Sequence, residues 1–156
     1  MHKTPEITRL IHDNFSMVIS FAFGLPVAAK VIQKNFAGEW KYLQKNVFGL
    51  GEIRADRALL EMATQLRALD DQEKLSHVFK QSKSPPLGTV TQEDGTNTDM
   101  HFRDFTNKII HATAFEWNFA VPEEPVIICH PPDGERWRRA EIKLIALMGL
   151  IGSLGF

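Results

Sequence analysis

Three polar side chains, Arg103, Asn107 and His111, follow one another at intervals of four residues. On a helix they lie one turn apart, at about 0°, 40° and 80° around the axis, and so share one face. An imidazole can take or give a proton near neutral pH. A guanidinium can hold a phosphate through two hydrogen bonds, and an amide can orient either partner. The spacing therefore predicts a site for phosphodiester chemistry, or for binding RNA or another ligand without cleavage.

Two helices are predicted to position this site. Along residues 100–114, Phe102, Phe105 and Ile109 recur at helical spacing and form an apolar stripe beside the polar one. Residues 53–69 carry the clearest helical pattern in the sequence. Their apolar stripe consists of Leu59, Met62, Ala63, Leu66 and Leu69. Because each helix has an apolar face to bury, we expect the two to pack against each other.

The run Asn107-Lys-Ile-Ile-His111 resembles the Asn-x-x-x-His half of the motif in HEPN-domain proteins. The layout is also similar over residues 50–115, where a long helix and a loop precede the helix that bears the motif. In that family an Arg usually stands directly before the polar residue, whereas Thr106 takes that place here and Arg103 stands further back.

The resemblance implies a helical bundle and a metal-independent ribonuclease. In that hypothesis His111 is the general acid or base, Arg103 binds the scissile phosphate and Asn107 positions them. The other interpretation is structural, because Asn and His one turn apart on a helix also hydrogen-bond neighbouring elements. We predict a non-catalytic HEPN-like module that acts through homodimer or partner contacts, with the ribonuclease as the alternative. RNA is thus a possible partner, although it is not the favoured one.

Neither a metal nor a cofactor is predicted. Six histidines are present, but no His-Glu-x-x-His or Cys-x-x-Cys spacing occurs. Cys129, the only cysteine, follows the apolar run Val126–Ile128, which is typical of a thiol that acts as a small buried hydrophobe. His130 is adjacent, but neighbours on a strand point to opposite faces, so the two are not expected to form a catalytic pair.

The balance of charge argues against a large surface for nucleic acid. The formal net charge is −1, from 18 basic and 19 acidic side chains. One local basic cluster is a weaker candidate for polyanion binding, and acidic residues are interleaved with it, so a charge-balanced surface is the alternative. Its members are Arg136, Arg138, Arg139 and Lys143.

The whole pattern predicts one domain, residues 1–156, with an all-α fold. We expect a bundle of about five helices with one small β-hairpin near the C-terminus, within residues 125–142. Residues 81–98 carry prolines and glycines and predict a long loop, in which residues 88–91 could form a short strand.

Two uncharged segments bear on location and assembly. Phe15–Ala29 has 15 residues interrupted by Gly24 and Pro26, and Leu144–Phe156 has 13 residues. Both are shorter than the ~20 residues that cross a bilayer, so buried helices are expected. The start of the chain does not have the pattern of a signal peptide. We therefore predict a cytoplasmic protein with no membrane partner, in which these apolar segments help to form a homodimer.

Overall fold

Two long helices run antiparallel and form the helical half of the protein. The computed structural model describes residues 4–36, 38 and 41–155. The elements of this half are α1 (Thr4–Asn35), α2 (Lys41–Leu43), a π-helical turn (Gln44–Phe48) and α3 (Gly49–Glu73). Asn14 Nδ2 donates to Gln65 Oε1 at 3.1 Å, whereas Phe21 lies beside Gly51, so α1 and α3 run in opposite directions.

α1 continues through Gly24 and Pro26, where the sequence predicted an interruption. Proline lacks the N–H that donates to the preceding turn, and in a helix interior it costs about 3 kcal/mol. Ala22 and Ile32, on either side of this point, are both buried. Burial of the flanking apolar residues outweighs the local cost, and the predicted break is wrong.

Because α1 is unbroken, its apolar part is longer than the 15-residue segment predicted from the sequence. Within the part of the chain that the structure describes, one helix, Glu6–Asn35, is long and apolar enough to cross a membrane. Its most apolar window has a mean hydropathy of 1.9, and 22% of that window is buried. A core helix of a soluble protein and a signal sequence near the N-terminus meet the same criteria.

Three shorter helices complete the helical layer: α4 (Leu75–Gln81), α5 (Phe102–Ile110) and α6 (Leu144–Ser153). Lys74 separates α3 from α4 and has a left-handed backbone, with φ of 57°. α5 packs against α3, which confirms the predicted pair of helices. The helix that begins at Phe102 is shorter than residues 100–114, because the chain turns at His111 and then enters a strand.

A five-stranded antiparallel sheet forms the other half, in the order β2-β1-β5-β4-β3. The strands are β1 (Gly88–Gln92), β2 (Asn97–Met100), β3 (Ala114–Asn118), β4 (Val126–His130) and β5 (Trp137–Lys143). The predicted hairpin within residues 125–142 is confirmed, since β4 pairs with β5 and Ile127 faces Ile142.

The predicted all-α helical bundle is wrong, because the hairpin is the centre of a sheet and the fold is α+β. The short strand predicted at residues 88–91 is confirmed as β1, but the rest of the predicted long loop 81–98 is not all loop, because it includes the start of β2. β1 and β2 form a second hairpin, and β1 pairs with β5. β3 pairs with the outer side of β4. These short strands bury little on their own, and their pairing with residues distant in sequence stabilises them.

One apolar cluster joins the two halves. It includes side chains from α1, α3, α5 and α6, together with Val90, Ile127, Ala140 and Ile142 of the sheet. At the sheet edge, Trp117 of β3 donates its indole N–H to Asp56 Oδ1 at 2.8 Å. Burial of the Asp56 carboxyl raises its pKa above the ordinary value, although the bond from Trp117 acts in the opposite direction. The cluster and this bond hold the helices on one face of the sheet.

Candidate functional site

Two of the three predicted site residues, Arg103 and Asn107, turn towards α3. Arg103 Nη1 donates to Asp70 Oδ2 at 2.5 Å and to Asp71 Oδ1 at 3.3 Å. Asn107 Oδ1 accepts a hydrogen bond of 2.5 Å from Arg67 Nη1. These contacts form a polar network between α3 and α5.

Asp70 is the centre of this network. Its side chain is 2% exposed, and Oδ1 accepts the backbone N–H of Ser76 at 2.7 Å. Burial by itself would raise the pKa of this carboxyl, but the hydrogen bonds from Ser76 and Arg103 outweigh it and hold the pKa below its ordinary value. The pKa of Arg103 is in turn raised by its hydrogen bond to Asp70. The ionised carboxyl thus fixes both the end of α3 and the first turn of α5.

His111 lies outside the network. It is the C-cap of α5, where its backbone N–H donates to Asn107 O at 3.0 Å, and its side chain is exposed. The structure therefore brings Arg103 and Asn107 together against α3 and leaves His111 at the far end of the helix. The structural interpretation expected His111 to hydrogen-bond a neighbouring element, but α5 ends at this residue and its side chain is exposed.

Arg67, Asp70 and Asp71, which supply the partners of Arg103 and Asn107, were not among the predicted site residues. A cation and two acids in the last turns of a helix are also typical of an ordinary helix end. The signal in the sequence was that these side chains are chemically complementary to Arg103 and Asn107 of α5. Arg67 and Asp70 are three residues apart, and Asn107 and Arg103 are four apart, so two helical faces of matching chemistry meet.

A cleft of about 580 Å³ lies beside Arg103, between α4 and the N-terminus of α5. Its apolar wall includes Phe79 and Phe102, whose ring centroids are 5.3 Å apart. The cleft falls within the usual size range of small-molecule sites, roughly 300–1,000 Å³. It is lined by Ser76, His77, Phe79, Lys80, Lys83, Ser84, Pro85, Leu87, His101, Phe102, Arg103, Asp104 and Leu150.

Positive charge predominates at this cleft. Lys80 and Lys83 contribute two cations and Asp104 contributes one carboxylate, whereas the lining residue Arg103 is paired with Asp70 and Asp71. The N-cap residue His101 makes no side-chain hydrogen bond to the first turn of α5, so the positive end of this helix is not capped there. The cleft combines an apolar wall with a basic rim, a composition suited to a ligand with an apolar body and an anionic group.

Three residues of the predicted basic cluster, Arg138, Arg139 and Lys143, lie on β5, and Arg136 directly precedes it. Arg139 and Lys143 are exposed on β5, and Arg139 forms an ion pair with Glu141. Arg136 precedes the strand and lies near Glu93 and Asp94. Acidic side chains therefore lie beside Arg136 and Arg139.

Cys129 is fully buried, which confirms its prediction as a small hydrophobe. Burial raises the pKa of its thiol to about 12. His130 instead contacts Glu116, with 2.9 Å between Nε2 and Oε2. Within the described residues, no group of three or more His, Cys, Asp or Glu side chains could hold a metal ion.

Comparison of the chain with protein-family models, with curated proteins and with solved structures gave no match. The resemblance of residues 50–115 to HEPN proteins stays a prediction.

Proposed function

We propose that this chain is a non-catalytic binding module, and that its ligand is an anion with an apolar body held in the cleft between α4 and α5. The observation that carries the proposal is a cleft that is walled by Phe79 and Phe102 and lined by the exposed lysines Lys80 and Lys83. A phosphate or carboxylate would lie near the cations and the start of α5, and the apolar body would lie against the two rings.

The contacts of the α5 residues support the non-catalytic part of the proposal. A residue that stabilises charge on a phosphate needs a guanidinium directed at the substrate. Arg103 instead donates to Asp70 and Asp71, and Asn107 accepts from Arg67. The ribonuclease hypothesis stays a prediction, and its test is described in the Discussion.

Calorimetric titration with matched amphiphiles tests the ligand class. We expect dodecanoate and dodecyl phosphate to bind at least about tenfold more tightly than dodecanol, since a charge-assisted hydrogen bond contributes roughly 1.5–3 kcal/mol. The double substitution Lys80→Glu and Lys83→Glu should remove this preference. Lys143→Glu, which changes an exposed lysine on the sheet, is the matched control and should leave binding unchanged. The proposal is contradicted if dodecanol binds as tightly as the two anions. It is also contradicted if Lys143→Glu weakens anion binding as much as the double substitution does.

The proposal retains the homodimer and the cytoplasmic location predicted from the sequence. Exposed apolar side chains on α6 and the first half of α1 support self-association, because exposed apolar area of this kind is typical of a contact surface. These side chains are Leu10, Met17, Ile145 and Met148. Ile145→Glu is expected to halve the mass measured by light scattering, whereas Leu60→Glu on α3 should not. A monomer mass for the wild type over a wide range of concentration rejects the dimer.

A further inference from the structure

The hairpin tip, which we define as residues 27–36 and 42–53, exposes an unusual amount of aliphatic surface. Five of its side chains are between 48% and 64% exposed: Val27, Val31, Val47, Leu50 and Ile53. Scattered exposed aliphatic residues are normal in proteins, but this group falls in one stretch of sequence and at one end of the α1–α3 pair. Such a surface is expected to be covered by a partner.

The same stretch is basic. The tip contains three lysines (Lys30, Lys34 and Lys45) and one acidic residue (Glu52), a net charge of +2 in a chain whose total is −1. The side chains of Lys30, Lys34 and Lys45 are exposed. A partner that covers this surface must therefore accept both aliphatic side chains and positive charge.

The first half of α1 limits how this surface can be used. Ile11, Phe15, Val18 and Ala22 are buried in the core, and beyond Ala22 the only buried residue described in α1 is Ile32. If α1 crossed a membrane, it would have to leave the core that these side chains build. The hairpin tip can meet a membrane without any such change.

We propose that the hairpin tip docks on an anionic lipid bilayer. The aliphatic side chains enter the boundary between headgroups and acyl chains, and the lysines contact lipid phosphates and carboxylates. Basic residues beside aliphatic ones are the composition of interfacial helices that bind such membranes. Each lysine near an anionic leaflet adds to the attraction, and the anionic lipids of cells are concentrated on the cytoplasmic side.

The charge distribution favours a bilayer over a second copy of the chain. In a two-fold symmetric dimer the same patch lies on both sides of the interface, so the net positive charge of one tip would meet that of the other. Like charges placed together in this way oppose association. Nucleic acid would neutralise the lysines, but its phosphates would offer no apolar environment to Val27, Leu50 or Ile53.

Vesicle sedimentation with the full chain tests the proposal. We expect the protein to bind vesicles of phosphatidylcholine mixed with phosphatidylserine and to bind phosphatidylcholine alone weakly. The double substitution Lys30→Glu and Lys34→Glu should lower the partition coefficient roughly thirtyfold or more, because each lysine near the surface contributes about a factor of five. Leu50→Gln combined with Ile53→Gln should also lower binding, by about tenfold or more.

Two control variants separate the tip from general effects of charge and polarity. Leu60→Gln removes an exposed leucine from the same helix outside the tip, and Lys143→Glu reverses an exposed lysine on the sheet. Both should bind vesicles like the wild type, and circular dichroism should show that all variants are folded. The proposal is overturned if the wild type binds neutral and anionic vesicles equally, or binds neither. It is also overturned if the control variants lose as much vesicle binding as the tip variants. A wild-type dimer that the tip substitutions convert to a monomer while vesicle binding stays the same overturns it as well.

Discussion

Arg103 of α5 donates a hydrogen bond of 2.5 Å to Asp70 of α3, a residue 33 positions earlier in the chain. The carboxyl that accepts it is almost fully buried, whereas the guanidinium is partly exposed. Asp70 also accepts the backbone N–H of Ser76, so one side chain holds the start of α4 and the start of α5 in place. The cleft between those two helices therefore depends on this contact for its shape.

The Asp70→Asn variant should be less stable than the wild type by about 1–3 kcal/mol at neutral pH. The uncharged amide has one acceptor oxygen, so it cannot accept from both Ser76 N–H and Arg103. A buried donor left unpaired in this way costs about that much. Because the pKa of Asp70 is lowered in the folded state, its stabilisation is present above the ordinary pKa and is lost as pH falls through the folded value. Urea unfolding from neutral to acidic pH should show the two proteins converge in acid.

Asp71→Asn is the matched control for that experiment. Asp71 is 64% exposed and lies 3.3 Å from the same guanidinium nitrogen. An exposed pair of this kind contributes about 0–1 kcal/mol, so the control should unfold nearly like the wild type at every pH. If the two substitutions had equal effects, Asp70 would not be the centre of the network.

His111→Ala should change the melting temperature very little, because exposed substitutions usually shift stability by about 0.5 kcal/mol or less and this imidazole is exposed. We also expect no RNA cleavage by the wild type, with or without a chelator. Cleavage that survives the chelator and disappears in His111→Ala would instead establish the ribonuclease hypothesis and contradict our proposed function.

Gly88→Ala should destabilise the protein by about 1–3 kcal/mol or more, because overpacking in a sheet forces the backbone to shift. A Cβ at this position would overlap the backbone carbonyl of Glu141 on the neighbouring strand β5. Gly149→Ala is the opposite case, since a Cβ there meets nothing within 4 Å and the residue lies in α6. That variant should be more stable than the wild type by about 0.5–1 kcal/mol. Thermal unfolding of both variants checks the contrast.

Cys129 should not react with an aromatic disulfide reagent at pH 8 while the protein is folded. Burial raises the pKa of the thiol to about 12, so almost no thiolate is present at that pH. One equivalent should react after denaturation in guanidinium, since the chain has a single cysteine. Rapid labelling of the native protein would show that the β4 core opens readily.

The sequence was most informative where local pattern and burial agree. The apolar stripe from Leu59 to Leu69 predicted α3, and the run from Val126 to Cys129 predicted a strand of the β4–β5 hairpin. The burial of Cys129 followed from the same run. In these segments the apolar pattern is long enough or regular enough to indicate the helix or strand without knowledge of its neighbours.

The candidate site was only half predictable. The four-residue spacing placed Arg103 and Asn107 on one face of α5, as observed. It also assigned His111 to that face, but the helix ends at this residue. The cleft was not predicted, because it requires α4, the loop after it and α5 to meet, and no single stretch of sequence carries that information.

What the sequence determined by itself was the set of helices with strong apolar stripes, the central hairpin and the buried thiol. Tertiary structure alone decided the α+β fold, because β1, β2 and β3 are short strands whose stability comes from pairing with β4 and β5. It also decided that α1 continues through Pro26, since burial on both sides outweighs the local cost. Finally, it gave Arg103 a structural partner, because Asp70 approaches it only when α3 and α5 pack together.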